Sequence, residues 1–313
     1  MAQHFTIERD DATWPKQLRD TSFQKIYGVG NQDILSSPCI SIIGSRRGTP
    51  YGIKLASMVA EASVRQGITV VSGGALGVDS EASRSALKYG GKTIIVCGSG
   101  ADVVYPARNE KLFSEVVCSG GALISLEPFG TAPLRWAFAK RNELIAALSR
   151  VVVVTESAYK SGTAITVEHA LRLNRSIYAF PGSIFSRFSQ GNNQLIYDGA
   201  TVIIDKQTLE RELISDYGDV LAFTLNGSSQ EASPKDAKGP KNDYSDELMR
   251  ALNARPMSLH TLSKEMHKEP ADLLKHLTFL EIQGLVVHLP DATYALTEKA
   301  YTLLEHRDKK LVK

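Results

Sequence analysis

The sequence predicts an α/β protein: a doubly wound, mainly parallel sheet followed by a small C-terminal winged-helix-like domain. Two observations carry the main domain. From residue 39 to about 205, short β-branched runs alternate with longer stretches of helical periodicity, the order expected of βαβ units. The runs are apolar throughout rather than alternating with polar residues, as strands buried on both faces require. A third observation sets off the smaller domain. Residues 226–243 (NGSSQEASPKDAKGPKND) hold almost nothing that a core could bury and read as a flexible linker.

In chain order, residues 1–38 lack a regular period and include Trp14-Pro15, so they are expected to cap the main domain, 39–225. Its strands are expected at residues 39–44 (CISIIG), 68–72 (ITVVS), 93–98 (TIIVCG), 122–125 (ALIS), 151–155 (VVVVT) and 176–180 (SIYAF). Helices are expected near 51–65, 79–89, 139–148 and 163–173. Residues 244–313 read as a helix, a helix with Leu259 and Leu262, and a helix with Leu273, Leu274, Leu277 and Leu280. A short hairpin turning at Pro290-Asp291-Ala292 follows. That order matches a winged helix.

Composition excludes several classes. Of 313 residues, 43% are apolar and 22% charged, an ordinary globular balance. No apolar run approaches the roughly 18 residues that span a bilayer, so no membrane role is expected. The first residues lack a basic segment followed by an apolar one, so no secretory signal is expected. Cys39, Cys97 and Cys118 lie far apart, which argues against a disulfide framework and a zinc site. A cytoplasmic location with reduced thiols is the expectation. With 36 basic and 34 acidic residues the net charge is +2, so any attraction to a polyanion must come from a local patch.

Three Gly-rich turns each follow a strand and open a helix: Gly44-Ser45-Arg46-Arg47, Ser72-Gly73-Gly74 and Ser161-Gly162-Thr163. In a doubly wound sheet such turns share the carboxyl edge of the strands, where ligands bind. Glycine admits a close backbone approach, and a helix N-terminus offers unpaired N–H groups. Any one of these turns alone is more simply a packing turn; three on one edge point to phosphate. Arg46 and Arg47 could reach such a phosphate in two-pronged fashion. Arg135, Lys140 and Arg141, with Asn142 next in the chain, are interleaved with Trp136 and Phe138, and basic and aromatic residues so mixed suit a single nucleic-acid strand. The plainer alternative makes Trp136 and Phe138 core residues of a helix start, and for Phe138 the two readings weigh the same.

There is no GxGxxG and no GxxxxGK[ST] in the chain, so no nucleotide cofactor is expected. Seven histidines form no HExxH and no close pair; no nucleophile-base pair or metal site is read, and the protein is expected not to be an enzyme. Asp79 reads as a helix N-cap, and Glu156 as a group that orients backbone or arginine.

The motifs, taken in order, resemble the DNA-processing protein A (DprA/Smf) family. The resemblance runs from Ile26-Tyr27-Gly28-Val29-Gly30 through Ile43-Gly44-Ser45-Arg46, Ser72-Gly73-Gly74-Ala75-Leu76-Gly77-Val78-Asp79 and Tyr105-Pro106-Ala107-Arg108-Asn109. It continues with Phe138-Ala139-Lys140-Arg141-Asn142, residues 156–166 (ESAYKSGTAIT), Phe180-Pro181-Gly182 and Gly191-Asn192-Asn193-Gln194. It implies an extended Rossmann-like domain that binds single-stranded DNA and helps load the RecA recombinase in natural transformation. It also implies a homodimer and a phosphate held by Arg46, with Lys140 and Arg141 lining the same pocket. The chain departs from the family pattern at Ser83, where His is usual, at Leu126, which displaces an acid to Glu127, and at Glu143, where Arg is usual. Glu143 is expected to face the pocket and oppose a bound phosphate. The alternative is a nucleoside-phosphate-binding enzyme or sensor of the wider Rossmann group.

Overall fold

The computed structural model describes residues 3–227, 244–289, 293–297 and 300. The chain divides into two compact units, Met1–Ser228 and Ser229–Lys313.

The first unit is built on nine strands: β1 (His4–Glu8), β2 (Lys25–Gly30), β3 (Cys39–Ile43), β4 (Thr69–Ser72), β5 (Thr93–Val96), β6 (Ala122–Ser125), β7 (Val151–Val154), β8 (Ser176–Ala179) and β9 (Thr201–Val202). They lie in the order β1-β2-β6-β5-β4-β3-β7-β8-β9. All neighbours from β6 to β9 pair parallel; β1–β2 and β2–β6 pair antiparallel. The six strands read from the sequence are β3 to β8. The N-terminal segment is not only a cap, however: it supplies two strands of the sheet. Its remaining residues do cover the core, for Trp14, Leu18, Ile34 and Leu35 are buried in the same cluster as Leu144 and Leu148.

The helices are α1 (Pro50–Arg65), α2 (Val78–Lys88), α3 (Glu110–Cys118), α4 (Arg135–Leu148), α5 (Gly162–Arg172), α6 (Gln190–Tyr197) and α7 (Lys206–Gly227). Alternation along β3 sorts them into layers. Ile40 and Ile42 pack with α1, α2 and α7, whereas Cys39 and Ile43 pack with α4 and α5. Ser41 is buried on the α4 side, and its hydroxyl donates to the Ile145 carbonyl at 2.8 Å. α7 is fastened by two tyrosines: Tyr217 donates to the Cys39 carbonyl at 2.6 Å, and Tyr178 to Asp216 Oδ2 at 2.6 Å. α7 reaches Gly227, two residues into the expected linker; residues 228–243 lie outside the described residues. The chain leaves β3 toward β4 on one side and returns as β7 on the other, so β3 and β7 flank the switch point of the sheet.

The second unit contains α8 (Ser245–Ala254), β10 (Met257–Ser258), α9 (Leu259–Met266), α10 (Pro270–Ile282), β11 (Val286–His288) and β12 (Thr293–Leu296). The strands form an antiparallel sheet in the order β10-β12-β11. Leu248, Leu252, Leu262, Leu273, Leu277 and Leu280 fill its core. Three helices and a three-stranded sheet make a winged helix; the expected turn at residues 290–292 lies outside the described residues. On α10, His276 is buried, with Nδ1 2.8 Å from the Asp272 carbonyl, and Lys275 pairs with Asp272 at 2.9 Å.

Candidate functional site

At the carboxyl ends of β3 and β7 the three Gly-rich turns meet. The Ser45 amide donates to the Glu156 carbonyl at 2.9 Å, and the Val78 amide to the Ser45 carbonyl at 3.2 Å. The turn before α2 approaches so closely that a methyl on Gly77 (φ 81°) would lie 2.4 Å from the Ser45 carbonyl oxygen; glycine is required there by both conformation and space.

The three helix N-termini at this edge are not equivalent. That of α1 is already filled: buried Glu156 accepts from the Thr49 amide at 2.8 Å and the Thr49 hydroxyl at 2.6 Å. Glu156 is thus a resident anion. In α2 the N-cap is Gly77, not Asp79; Asp79 sits in the first turn. At α5 the N-cap Ser161 makes no capping bond and instead meets the Ser157 hydroxyl at 2.8 Å. Its first-turn amides, at Gly162 and Thr163, therefore remain available to an anion.

A cleft of about 470 Å³ opens on this edge. Gly44, Ser45, Arg46, Phe138, Arg141, Asn142, Ser161, Gly162 and Thr163 line it, as the sequence predicts; Asp79, Ser157 and Thr166 join them. A smaller hollow of about 200 Å³ adjoins it, sharing Arg46, Phe138 and Arg141 and adding Arg47, Gly73, Leu76 and Tyr105. The Tyr105 and Phe138 rings stand 5.5 Å apart.

Other expected residues lie elsewhere. The Ser72 side chain is buried and donates to the Ile42 carbonyl at 2.8 Å. Gly74 (φ 65°) turns beneath Ile95 and Phe113. Lys140 is exposed, 3.7 Å from Glu127, and is not on the cleft wall. The reason is the 100° step of a helix. Phe138, Arg141, Asn142 and Ile145 form one stripe of α4 facing the cleft, and Lys140, Glu143 and Trp136 fall on the far side of that stripe. Glu143 therefore does not face the pocket, and Trp136 points away from it, 57% exposed.

Arg141 and Asp79 form the floor. Arg141 is 5% exposed; its Nη1 donates to the Val96 carbonyl at 3.0 Å, its Cζ lies 5.6 Å from the Phe138 ring centroid, and its Nε has no partner. Burial lowers its pKa, offset by Asp79. Asp79, 8% exposed, accepts a long bond from the Ala75 amide at 3.4 Å. Burial pushes its carboxyl up to about 6, against the opposing pull of Arg141. Among the described residues, no cluster of three or more His, Cys, Asp or Glu could hold a metal ion, and no helix is long and apolar enough to cross a membrane.

Residues 5–214 match the family of DNA recombination-mediator protein A. The chain belongs to that family. Residues 232–292 match the DprA winged helix domain. Protein Smf of Synechocystis is 31% identical over 317 residues, covering 91% of this chain and 78% of its own. DNA processing protein DprA of Streptococcus pneumoniae is 37% identical over 209 residues, 66% of this chain and 73% of its own. A solved structure of Helicobacter pylori DNA processing protein A, described for its single-stranded DNA binding mode, superposes with a TM-score of 0.62. It is 32% identical, over 69% of this chain and 97% of that one. The chain spans between 52% and 78% of the length of such curated relatives.

Proposed function

We propose that the cleft binds single-stranded DNA, holding a backbone phosphate between Arg46, Arg141 and the open N-terminus of α5. The observation that carries this is the contrast among the three helix ends: α1 is filled by Glu156, α2 carries Asp79, and α5 alone faces two arginines uncapped. A phosphodiester supplies the missing anion, and the Tyr105–Phe138 hollow beside it offers an apolar wall for a base. The binding mode named for the Helicobacter pylori protein supports the same class of ligand. Resemblance extends the reading to RecA loading in transformation, to a homodimer, and to binding without catalysis, in the cytoplasm. Arg47 contributes at the rim, while Lys140 acts only at a distance.

The test is a titration of labelled oligo-dT beside matched duplex at several salt concentrations. Single strands should bind more tightly, and Arg46→Ala should flatten the log–log salt slope by roughly 0.7, the value for one phosphate neutralised on a single strand. An unchanged affinity for Arg46→Ala refutes the assignment of the cleft. A panel of nucleoside phosphates in thermal shift tests the enzyme-or-sensor alternative.

A further inference from the structure

The floor of the cleft contains a charge that a phosphate site would be expected to exclude. Asp79 is a buried carboxylate facing the same cavity as Arg46, Arg141 and the α5 amides. Its hydrogen bonds come from backbone amides, those of Ala75 at 3.4 Å and of Gly73. Arg141 is its neighbour. Arg141 Cζ and Asp79 Oδ2 each lie 2.7 Å from the point where a Gly73 methyl would sit, so they are at most twice that, 5.4 Å, apart. Arg141 in turn keeps its Nε unpartnered and buried.

We propose that Asp79 is the positioning residue of the anion site: it balances Arg141 while the cleft is empty and takes up a proton when a phosphodiester enters. This rests on the reading of the cleft as a single-strand DNA site. A phosphate and the Asp79 carboxylate side by side at Arg141 repel each other, and the burial of Asp79 and Arg141 leaves little water to screen them. When DNA brings a second negative charge to Arg141, the Asp79 carboxylate gains a repulsive neighbour and loses its share of the guanidinium. Uptake of one proton from solvent removes that conflict and leaves both arginines to the phosphate. The charged groups facing Asp79 are Arg141 from α4 and Arg46 from the loop after β3. Ser157, Ser161, Thr163 and Thr166 bring no titrating group to the cleft. Cys97, near Arg141, stays a neutral thiol because burial pushes it up to about 12. The carboxyl, already raised to about 6 by its burial, needs only a modest further push to protonate near neutrality.

The experiment follows binding of an oligo-dT with a free 5′-hydroxyl, so that neither bases nor phosphates titrate in the working range. Wild type, Asp79→Asn and Arg46→Ala are compared at constant ionic strength between about pH 5.5 and about pH 7.5. Wild-type affinity should rise as pH falls, by at most about tenfold per pH unit for one coupled proton. Asp79→Asn should bind about tenfold tighter than wild type near pH 7.5 and show a flat profile. Calorimetry of the wild type in two buffers of different protonation heat should give net proton uptake on binding, and this decides the matter even if the variant folds poorly. Parallel pH profiles for wild type and Asp79→Asn, or no proton uptake near pH 6.5 to 7, overturn the role of Asp79. Loss of binding in Arg46→Ala with that same result leaves the cleft assignment standing. A wild type that binds no single strand at any pH removes the functional reading and this inference together.

Discussion

Gly73→Ala tests the pocket floor with a single carbon. A methyl built there would overlap Arg141 Nη1 and lie 2.7 Å from both Arg141 Cζ and Asp79 Oδ2. Its backbone does not occupy the left-handed region, so the cost is one of space. The guanidinium has to retreat until contacts reach ordinary van der Waals separation, and its 3.0 Å bond to the Val96 carbonyl breaks. A hydrogen bond made by a charged group contributes about 1.5–3 kcal/mol. The variant should lose that much stability in denaturant titration. At about 2–4 °C per kcal/mol for a unit of this size, the melting temperature should fall by about 3–12 °C. Oligo-dT affinity should weaken with it, because Arg141 no longer holds its place over the cleft. Stability and affinity both within error of the wild type would refute the packing of Arg141 over Gly73.

Three further expectations follow from the site. Glu143→Arg should change oligo-dT affinity by less than about twofold at moderate salt, since half-buried position 143 lies off the cleft-facing stripe of α4 and salt screens a charge that does not touch the phosphate; a tenfold gain in a binding titration would place it in the pocket after all. Glu156→Ala removes both bonds to Thr49 and should cost about 1.5–3 kcal/mol in denaturant titration; no loss would show that α1 does not depend on its resident anion. Asp79 is a carboxylic acid whose folded pKa is raised from 3.8 to about 6, so its favourable contribution is complete below about pH 4 and disappears as pH rises through about 6. Asp79→Asn should therefore gain about 2–3 kcal/mol relative to wild type between about pH 4 and pH 7.5, and a constant difference in paired denaturation curves would contradict the raised value.

Strands β3 to β8 were legible because a strand covered on both faces has no polar face to show, and a run such as Val151–Val154 admits few other readings. The first two strands hid for opposite reasons. β1 alternates exposed and buried residues over only five positions, and β2 carries Gly28 and Gly30. Gly28 is there because the Phe5 ring lies against its Cα, a long-range contact that no local pattern announces. At the site, the glycine turns revealed an anion edge but not which helix end was vacant. That depends on Glu156, which lies more than a hundred residues from the Thr49 it holds. Composition gave Lys140 and Arg141 equal weight; one helical step of about 100° put Arg141 on the cleft wall and Lys140 off it. Asp79 could be read as a cap from its neighbours in sequence, whereas its role on the floor appears only once α4 brings Arg141 over Gly73.

The pairing of β2 with β6 has a consequence for synthesis. Asn31 and Gly120 come into contact across 89 residues of chain, and at about 5–20 residues per second the ribosome needs roughly 4–18 s to deliver that interval. During that time the N-terminal hairpin has an open edge toward the place where β6 will arrive, while β3, β4 and β5 can already associate beside one another. Strand β2, paired early with β1, thus waits longer for its second neighbour than β4 or β5 does. A nascent chain stalled before residue 122 would expose the β2 edge to any other extended segment nearby. Destabilising changes in β1 and β2 should therefore reduce the yield of native protein during synthesis more than they reduce the stability of molecules that have already folded.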